Sequence, residues 1–446
     1  MGKARRSLAF CLQEGNEMTF EAAMARLHAL GRFGSPGAVE RVAWILEQLG
    51  SPHERLRCVH VAGTNGKGST CAMIAAVLQK AGYRTGLFIS PYILEFCERM
   101  QIDGEMIPKT AFAALADRVF PFVEQLHQRG ERFSEFEVVT MIALLWFWEQ
   151  DCDFVVLETG IGGKRDATNV IATPMAAVLT PISMDHTALL GETLSEIATD
   201  KCGIMKEGGV VILAPDQAPE VLAVIEQEAQ RRGSRLIVAD MADMTVQHMD
   251  LYGTDFVYAG QMLHLPLLGE HQMQNACTAL TVLEELRRQH IVIEPLHLQE
   301  GFAQVRFPAR WEVMSRQPLV IVDGAHNRAG VDTLKVAMEQ YLAGRNVIGI
   351  AGALQDKDTE YLTHCLCGKF SQVLTVMPDN PRALQSDVFA QQWRDVGQLA
   401  VACETSEQAL EQALQVAGED GVVLVFGSLF TAAQLRAEVL RYFEKK

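Results

Sequence analysis

The sequence is short of positive charge. It holds 39 Lys and Arg against 55 Asp and Glu, a net charge of -16. That balance excludes the broad basic face a nucleic-acid binder needs, so any polyanion must be met by a local cluster of cations. Long apolar runs are also missing. The longest, residues 138–148, lies between Glu137 and Glu149; it is too short to cross a bilayer and predicts a buried helix. Cysteine pairing is absent. The ten cysteines are scattered, and Cys365 and Cys367 form the one close pair. A single C-x-C carries no metal-site signal, so buried thiols in the cytoplasm are expected. Residues 1–17 have Lys3, Arg5 and Arg6, but the following "SLAFCL" is too short for the apolar part of a secretory signal. They read as a loosely ordered extension. No Pro-rich or Ser-rich linker interrupts the chain.

What is present is ordinary for a soluble protein of two or three domains: 446 residues, 49% hydrophobic and 21% charged. Apolar strand-like runs alternate with helical segments. "CVHVA", "RTGLFIS", "DFVVLETG", "MAAVLTPI" and "GVVILAP" occupy residues 58–215. Continuous apolar strands predict a parallel sheet covered on both faces. Residues 244–268 switch to alternation with Tyr-Gly and Ala-Gly turns, which predicts antiparallel hairpins at one edge. A long helix over 271–288 follows. The strand–helix pattern then restarts near residue 298, with strands "LVIVDG", "NVIGIAG", "QVLTVMP" and "GVVLVFG". The expected organisation is an extension at 1–17, a larger α/β domain at 18–297 and a smaller Rossmann-like α/β domain at 298–446.

"HVAGTNGKGST" joins the first strand to a helix. Three glycines, a lysine and two hydroxyls between a strand and a helix present free N–H groups and a positive dipole end to a phosphate. The usual pattern is G-x-x-x-x-G-K-[ST]; here Val61 stands where the first glycine would be, and Gly68 separates Lys67 from Ser69. The nucleotide is ATP or a relative. Three further strand ends offer Ser90 in "ISPY", Glu158 in "LETGIGGKRDATN" and His186 in "SMDHTALLG". Parallel sheets build their sites at these ends, and Glu158 suits Mg2+, which takes oxygen ligands and shares them with phosphates. A lone histidine such as His186 is by itself more often structural. Its company beside a phosphate loop is what singles it out.

"HVAGTNGKGST", "ISPYILEFCERM", "LETGIGGKRDATN", "MDHTALLGETL", "DKCGI", "GEHQMQNACTAL", "FPARWEV", "VDGAHN", "ALQDKD" and "FGSLF" stand in this order from Met18 to the end. In this the chain resembles the folylpolyglutamate synthases, the folate branch of the Mur ligases, many of whose bacterial members are also dihydrofolate synthases. The resemblance implies an ATP-dependent amide ligase. It adds L-glutamate to the γ-carboxylate of a reduced folate, or to dihydropteroate, through an acyl phosphate. It places the ATP phosphates on Gly63, Thr64, Asn65, Gly66, Lys67, Gly68 and Ser69, with Lys67 at the transferring group. Further nucleotide contacts fall on Asn275, Arg310 and Asp323. Mg2+, two ions, is implied on Ser90, Glu158, His186 and Lys201, the last as a carbamate. His326 lies near the incoming glutamate, and Ser134 and Asp166 line the pterin side. A cytoplasmic monomer acting on small molecules is expected, with neither nucleic acid nor membrane as partner.

The sequence departs from the family at Tyr92, where histidine is usual, at Arg165, where leucine is usual, and at Phe307 and Ala309, where W-P-G-R is usual. The rival within the ligases is a Mur-type enzyme acting on another carboxylate. The rival from another class is a nucleotide-hydrolysing switch, against which a second domain carrying "VDGAHN" and "FPAR" argues.

Overall fold

Strand β1 (Cys58–Ala62) is buried at every position, as a central parallel strand must be. The computed structural model describes residues 18–31, 34–93 and 95–444; the extension expected over 1–17 lies outside the described residues. In the first sheet β1 is joined by β2 (Thr85–Phe88), β3 (Met100–Ile102), β4 (Glu105–Met106), β5 (Phe154–Glu158), β6 (Ala176–Leu179), β7 (Val210–Leu213) and β8 (Arg235–Val238). Their order is β4-β3-β2-β5-β1-β6-β7-β8. The β2–β3 and β3–β4 pairings are antiparallel and the other pairings are parallel. The phosphate loop thus leaves from near the middle of the sheet. It enters the helix Lys67–Lys80, whose Thr70, Cys71, Met73, Ile74, Val77 and Leu78 are all fully buried. The expected hairpins form a separate antiparallel sheet, β9 (Met244–Asp250), β10 (Gly253–Tyr258) and β11 (Gln261–Leu265).

The second domain holds β12 (Glu312–Arg316), β13 (Leu319–Val322), β14 (Val347–Ala351), β15 (Gln372–Thr375), β16 (Ala400–Ala402) and β17 (Val422–Phe426), ordered β12-β13-β17-β14-β15-β16. β12 is antiparallel to β13 and the rest are parallel. The helix Pro295–Gln304 spans the boundary expected near residue 298. It packs on the helix Lys67–Lys80, and Leu298, Phe302 and Val305 lie in the same hydrophobic core as that helix. Among the described residues no helix is long and apolar enough to cross a membrane. The apolar run 138–148 lies inside the buried helix Glu135–Glu149.

Candidate active site

The phosphate loop is held open by what surrounds its glycines. Gly66 caps the helix with φ +82°, a region that costs other residues energy. A Cβ there would come within 2.2 Å of Asn275 Oδ1, and one at Gly63 would come within 1.9 Å of Thr180 Oγ1. The loop is clamped to the segment after β6. The N–H groups of Thr64 and Asn65 both reach the Pro181 carbonyl, at 2.9 and 3.3 Å. The Thr64 hydroxyl bonds the Ser183 carbonyl at 3.0 Å. These two N–H groups are therefore committed to the protein. The first intrahelical bond runs from the Thr70 N–H to the Gly66 carbonyl, at 2.9 Å. The N–H groups of Lys67, Gly68 and Ser69 precede it and form the dipole end that faces a phosphate. Buried hydroxyls of Thr70, Thr159 and Ser183 around this loop have no partner among the described residues, which suits a site that takes a polar ligand.

Three charged side chains of the first domain converge here. Lys67 Nζ lies 3.9 Å from Glu158 Oε1 and donates to the carbonyls of Gly63 and Thr64 at 3.3 and 3.2 Å. Glu158 is 4% exposed and receives one N–H, from Ser90, at 3.1 Å. Burial raises its pKa, with Lys67 and the Ser90 N–H working against the rise. A buried carboxylate with so few donors is the acceptor a cation would complete. Lys201 ends the helix Leu194–Lys201, is 4% exposed, and donates to the Gly63 carbonyl at 2.6 Å. Burial, followed by the nearby Lys67 charge, lowers its pKa to about 7. Asp200 opposes this only weakly, because its carboxylate is turned to the Gly163 N–H at 2.9 Å.

His186 caps the preceding short helix, Thr187–Leu190, with φ +50°. Its pKa is lowered by burial, offset by Asp185. No cluster of three or more His, Cys, Asp or Glu close enough to hold a metal occurs among the described residues. The candidate ligands are instead the Ser90 hydroxyl, the Glu158 carboxylate, the His186 imidazole and Lys201. Mg2+ prefers oxygen, so Glu158 and Ser90 suit it directly and Lys201 would suit it only as an oxygen-bearing carbamate.

The second domain faces this site with Arg310, Asp323 and His326. Arg310 rides on a strained turn: its neighbours Ala309 and Trp311 have φ +55° and +48°. The turn is braced from three sides. Ala309 N–H bonds Glu312 at 3.0 Å, Trp311 N–H bonds Asp323 at 2.8 Å, and the Gly324 N–H bonds the Ala309 carbonyl at 2.9 Å. Glu312 is itself gripped by Arg436 at 2.9 Å. Asp323 also accepts the Ala325 N–H at 2.8 Å; burial raises its pKa, while the Arg310 charge counters. His326 donates Nδ1–H to the Gly324 carbonyl at 2.8 Å, which leaves Nε2 as an acceptor. Burial and then Lys357 lower its pKa to about 4, so the ring is neutral near pH 7.

The stretches that carry the phosphate loop, the buried glutamate and the second domain's arginine and histidine fall within two known families. The Mur ligase middle domain matches residues 61–283, and the Mur ligase, glutamate ligase domain matches 309–429. Folylpolyglutamate synthase of Lacticaseibacillus casei is 34% identical over 434 residues, covering 95% of this chain and 99% of that protein. Dihydrofolate synthase/folylpolyglutamate synthase of Bacillus subtilis is 34% identical over 94% of this chain and 98% of its own length. The chain belongs to the folylpolyglutamate synthase branch of the Mur ligases. Among solved structures, Mycobacterium tuberculosis folylpolyglutamate synthase complexed with ADP and AMPPCP superimposes with a TM-score of 0.85 at 30% identity, covering 94% of this chain and 99% of that one. Escherichia coli FolC in complex with DHPP and ADP gives 0.83 at 27% identity, covering 96% and 98%.

Within this ligase the residues expected on the pterin side have visible work of their own. Ser134 caps the helix Glu135–Glu149: its hydroxyl donates to Glu137 Oε1 at 2.9 Å and accepts the Glu137 N–H at 3.3 Å. Glu137 is also paired with buried Arg41 at 2.8 Å. Asp166 accepts four bonds, from the N–H groups of Gly160, Ile161 and Thr168 and from the Thr168 hydroxyl, at 2.9, 2.9, 3.0 and 2.5 Å. Four donors fill a carboxylate, so Asp166 organises the loop after β5. Thr168 in turn meets fully buried His60 Nε2 at 2.8 Å. Because Thr168 donates to Asp166, the His60 Nε2–H donates to Thr168. Asn275 is 3% exposed, lies against Gly66, and donates to Gln272 at 3.0 Å.

The departures also find places. Tyr92 packs edge-on to Phe96 with Arg99 5.2 Å from its ring centre. Arg165 is exposed in the turn before Asp166. Ala309 occupies a backbone conformation that glycine adopts freely. Reading the sequence gave no role to Asp185, Thr180, Asn327 or the Glu312–Arg436 brace. Asp185 and Asn327 lie within quoted motifs, but their roles depend on partners far away in sequence.

Proposed function

We propose that this enzyme uses ATP to join L-glutamate to the γ-carboxylate of a reduced folate, or to the carboxylate of dihydropteroate. The observation that carries the reading is the meeting of the two domains at the phosphate loop: Lys67, Glu158 and Lys201 from one, Arg310 and His326 from the other. The acceptor carboxylate attacks the γ-phosphorus, the bond to ADP breaks, and an acyl phosphate forms. The amine of glutamate then attacks the acyl carbon, inorganic phosphate leaves, and the nitrogen loses a proton. Lys67 and Arg310 stabilise charge as it builds on the transferring group. The helix N–H groups of residues 67–69 hold phosphate oxygens. His326, neutral with Nε2 free, accepts a hydrogen bond from the incoming amine.

Mg2+, two ions in this reading, would be held by Ser90, Glu158, His186 and Lys201, and would supply phosphate neutralisation when bound. A lysine whose pKa has fallen to about 7 is neutral often enough to add CO2 and become the carbamate that such a site needs. Asn275 and Asp323 support the nucleotide side, the first by packing on Gly66 and the second by bracing the Arg310 turn. Ser134 and Asp166 shape the pterin side by fixing their loops. The same proposal sets the enzyme in the cytoplasm as a monomer. It is tested with ATP, Mg2+ and labelled glutamate, offered dihydropteroate and tetrahydrofolate in separate reactions. Label should enter a folate product in at least one, and only with ATP. No incorporation with either acceptor would overturn the substrate assignment.

A further inference from the structure

Asn327 stands at the join between the two domains. It is the N-cap of the helix Arg328–Tyr341, and its Oδ1 accepts the Gly330 N–H at 2.8 Å. The cap fixes which end of the amide is free: Nδ2 must point away from its own helix. It donates across the domain boundary to Asn65 Oδ1 in the phosphate loop and to Asp185 Oδ2, both at 3.2 Å. Asp185 is also 3.9 Å from Lys357 of the second domain, and it accepts the His186 N–H at 2.8 Å. The domains touch elsewhere too: Arg316 lies 3.7 Å from the ring centre of Tyr252 in the β9–β10 turn, and Leu251 packs on the second domain's core. Those contacts add one long hydrogen bond, from Arg316 to the Leu251 carbonyl at 3.5 Å, and involve the β9–β10 turn. The Asn327 contact instead lands on Asn65 in the phosphate loop.

We propose that Asn327 is a latch that ties closure of the second domain to the conformation of the phosphate loop, with Asp185 as its fixed post. One side chain bonds Asn65 and the residue before His186 at once. The second domain therefore cannot withdraw without releasing both, and a displaced loop cannot receive it. One bond is neutral, to Asn65, and one is to the Asp185 carboxylate; at 3.2 Å neither is strong, which suits a contact that must open in every turnover to admit substrates and release products. Asn327 is thus a positioning residue that acts through the loop.

The test is a reciprocal exchange. Asn327→Asp keeps the cap, since aspartate caps as well as asparagine, but removes the donor and sets a carboxylate against Asp185. Adding Asp185→Asn restores one donor and one acceptor with the roles reversed. Hydrogen exchange of the segments 63–69 and 324–330, followed by mass spectrometry, needs no folate and so stands apart from the substrate assignment. Exchange in both segments should rise roughly 10-fold in N327D, the scale of losing a bond to a charged group, and return toward wild type in D185N/N327D. Ligation should fall and recover in parallel. Unchanged exchange in N327D, or a double variant no better than N327D, would overturn the latch. If N327D does not fold, Asn327→Ser serves, as serine caps but lacks the amide. Wild-type exchange in that variant would overturn it equally.

Discussion

Replacing Lys201 by methionine should make the protein more stable while removing its activity. Lys201 is 4% exposed and its pKa falls from 10.5 to about 7. A displacement of that size corresponds to roughly 4–5 kcal/mol of unfavourable burial, taken as a ceiling. Methionine escapes that cost but forfeits the 2.6 Å bond to the Gly63 carbonyl and leaves that carbonyl only the longer bond from Lys67, at 3.3 Å, which returns about 1–3 kcal/mol. The net expectation is a gain of about 1–3 kcal/mol at pH 7. The pH dependence has a definite sign. The unfolded lysine keeps its proton up to 10.5 and the folded one only up to about 7. Between those values the unfolded state holds more protons, so wild-type stability climbs with pH. The advantage of Lys201→Met is full at and below pH 7 and fades toward 10.5. The assay is unfolding of both proteins at several pH values in CO2-free buffer, so that no carbamate forms. No gain at pH 7, or a gain that grows with pH, would refute the reasoning.

Lys67→Ala should cost roughly 100-fold or more in ligation rate with little change in melting temperature, because its bonds to the Gly63 and Thr64 carbonyls are long; near-normal turnover would remove Lys67 from the transferring phosphate. Ala309→Gly should leave the melting temperature equal or raised, since relief of the φ +55° conformation is worth about 1 kcal/mol against a similar entropic cost of glycine. Ala309→Val should lower both melting temperature and activity, and a Val variant as stable as wild type would contradict the strained turn. Thr168→Val should destabilise by about 1–3 kcal/mol by stranding His60 and Asp166, whereas Thr168→Ser should stand near wild type in denaturant unfolding; equal losses in both would show that packing, not the hydroxyl, matters.

The elements legible in the sequence were those whose burial is written into consecutive residues. β1, β5 and β17 are buried at every position, and their apolar runs say so. β8 reads "RLIV" with both ends exposed, and β16 spans three residues; neither is long enough to carry a pattern. β12 breaks its alternation at an irregularity between Val313 and Ser315. The helix Pro295–Gln304 packs on the first domain's core although its place in the sequence resembles the start of the next strand–helix series. At the site, strand-end residues such as Glu158 stood out by position. Asp185 and Asn327 did not, being 142 positions apart, and sequence offers no rule that brings them together. The strain at Ala309 and Trp311 depends on the bracing by Glu312 and Asp323 and is likewise invisible until the chain is folded.

The central claim is that ATP is consumed to activate a folate carboxylate for attack by glutamate. The most direct measurement is ADP release with each substrate left out in turn. The account predicts sustained ADP formation when ATP, a folate or dihydropteroate acceptor and L-glutamate are all present, in a one-to-one ratio with the amide product, and little when either acceptor or glutamate is missing. ADP formation at the same rate without an acceptor would contradict it.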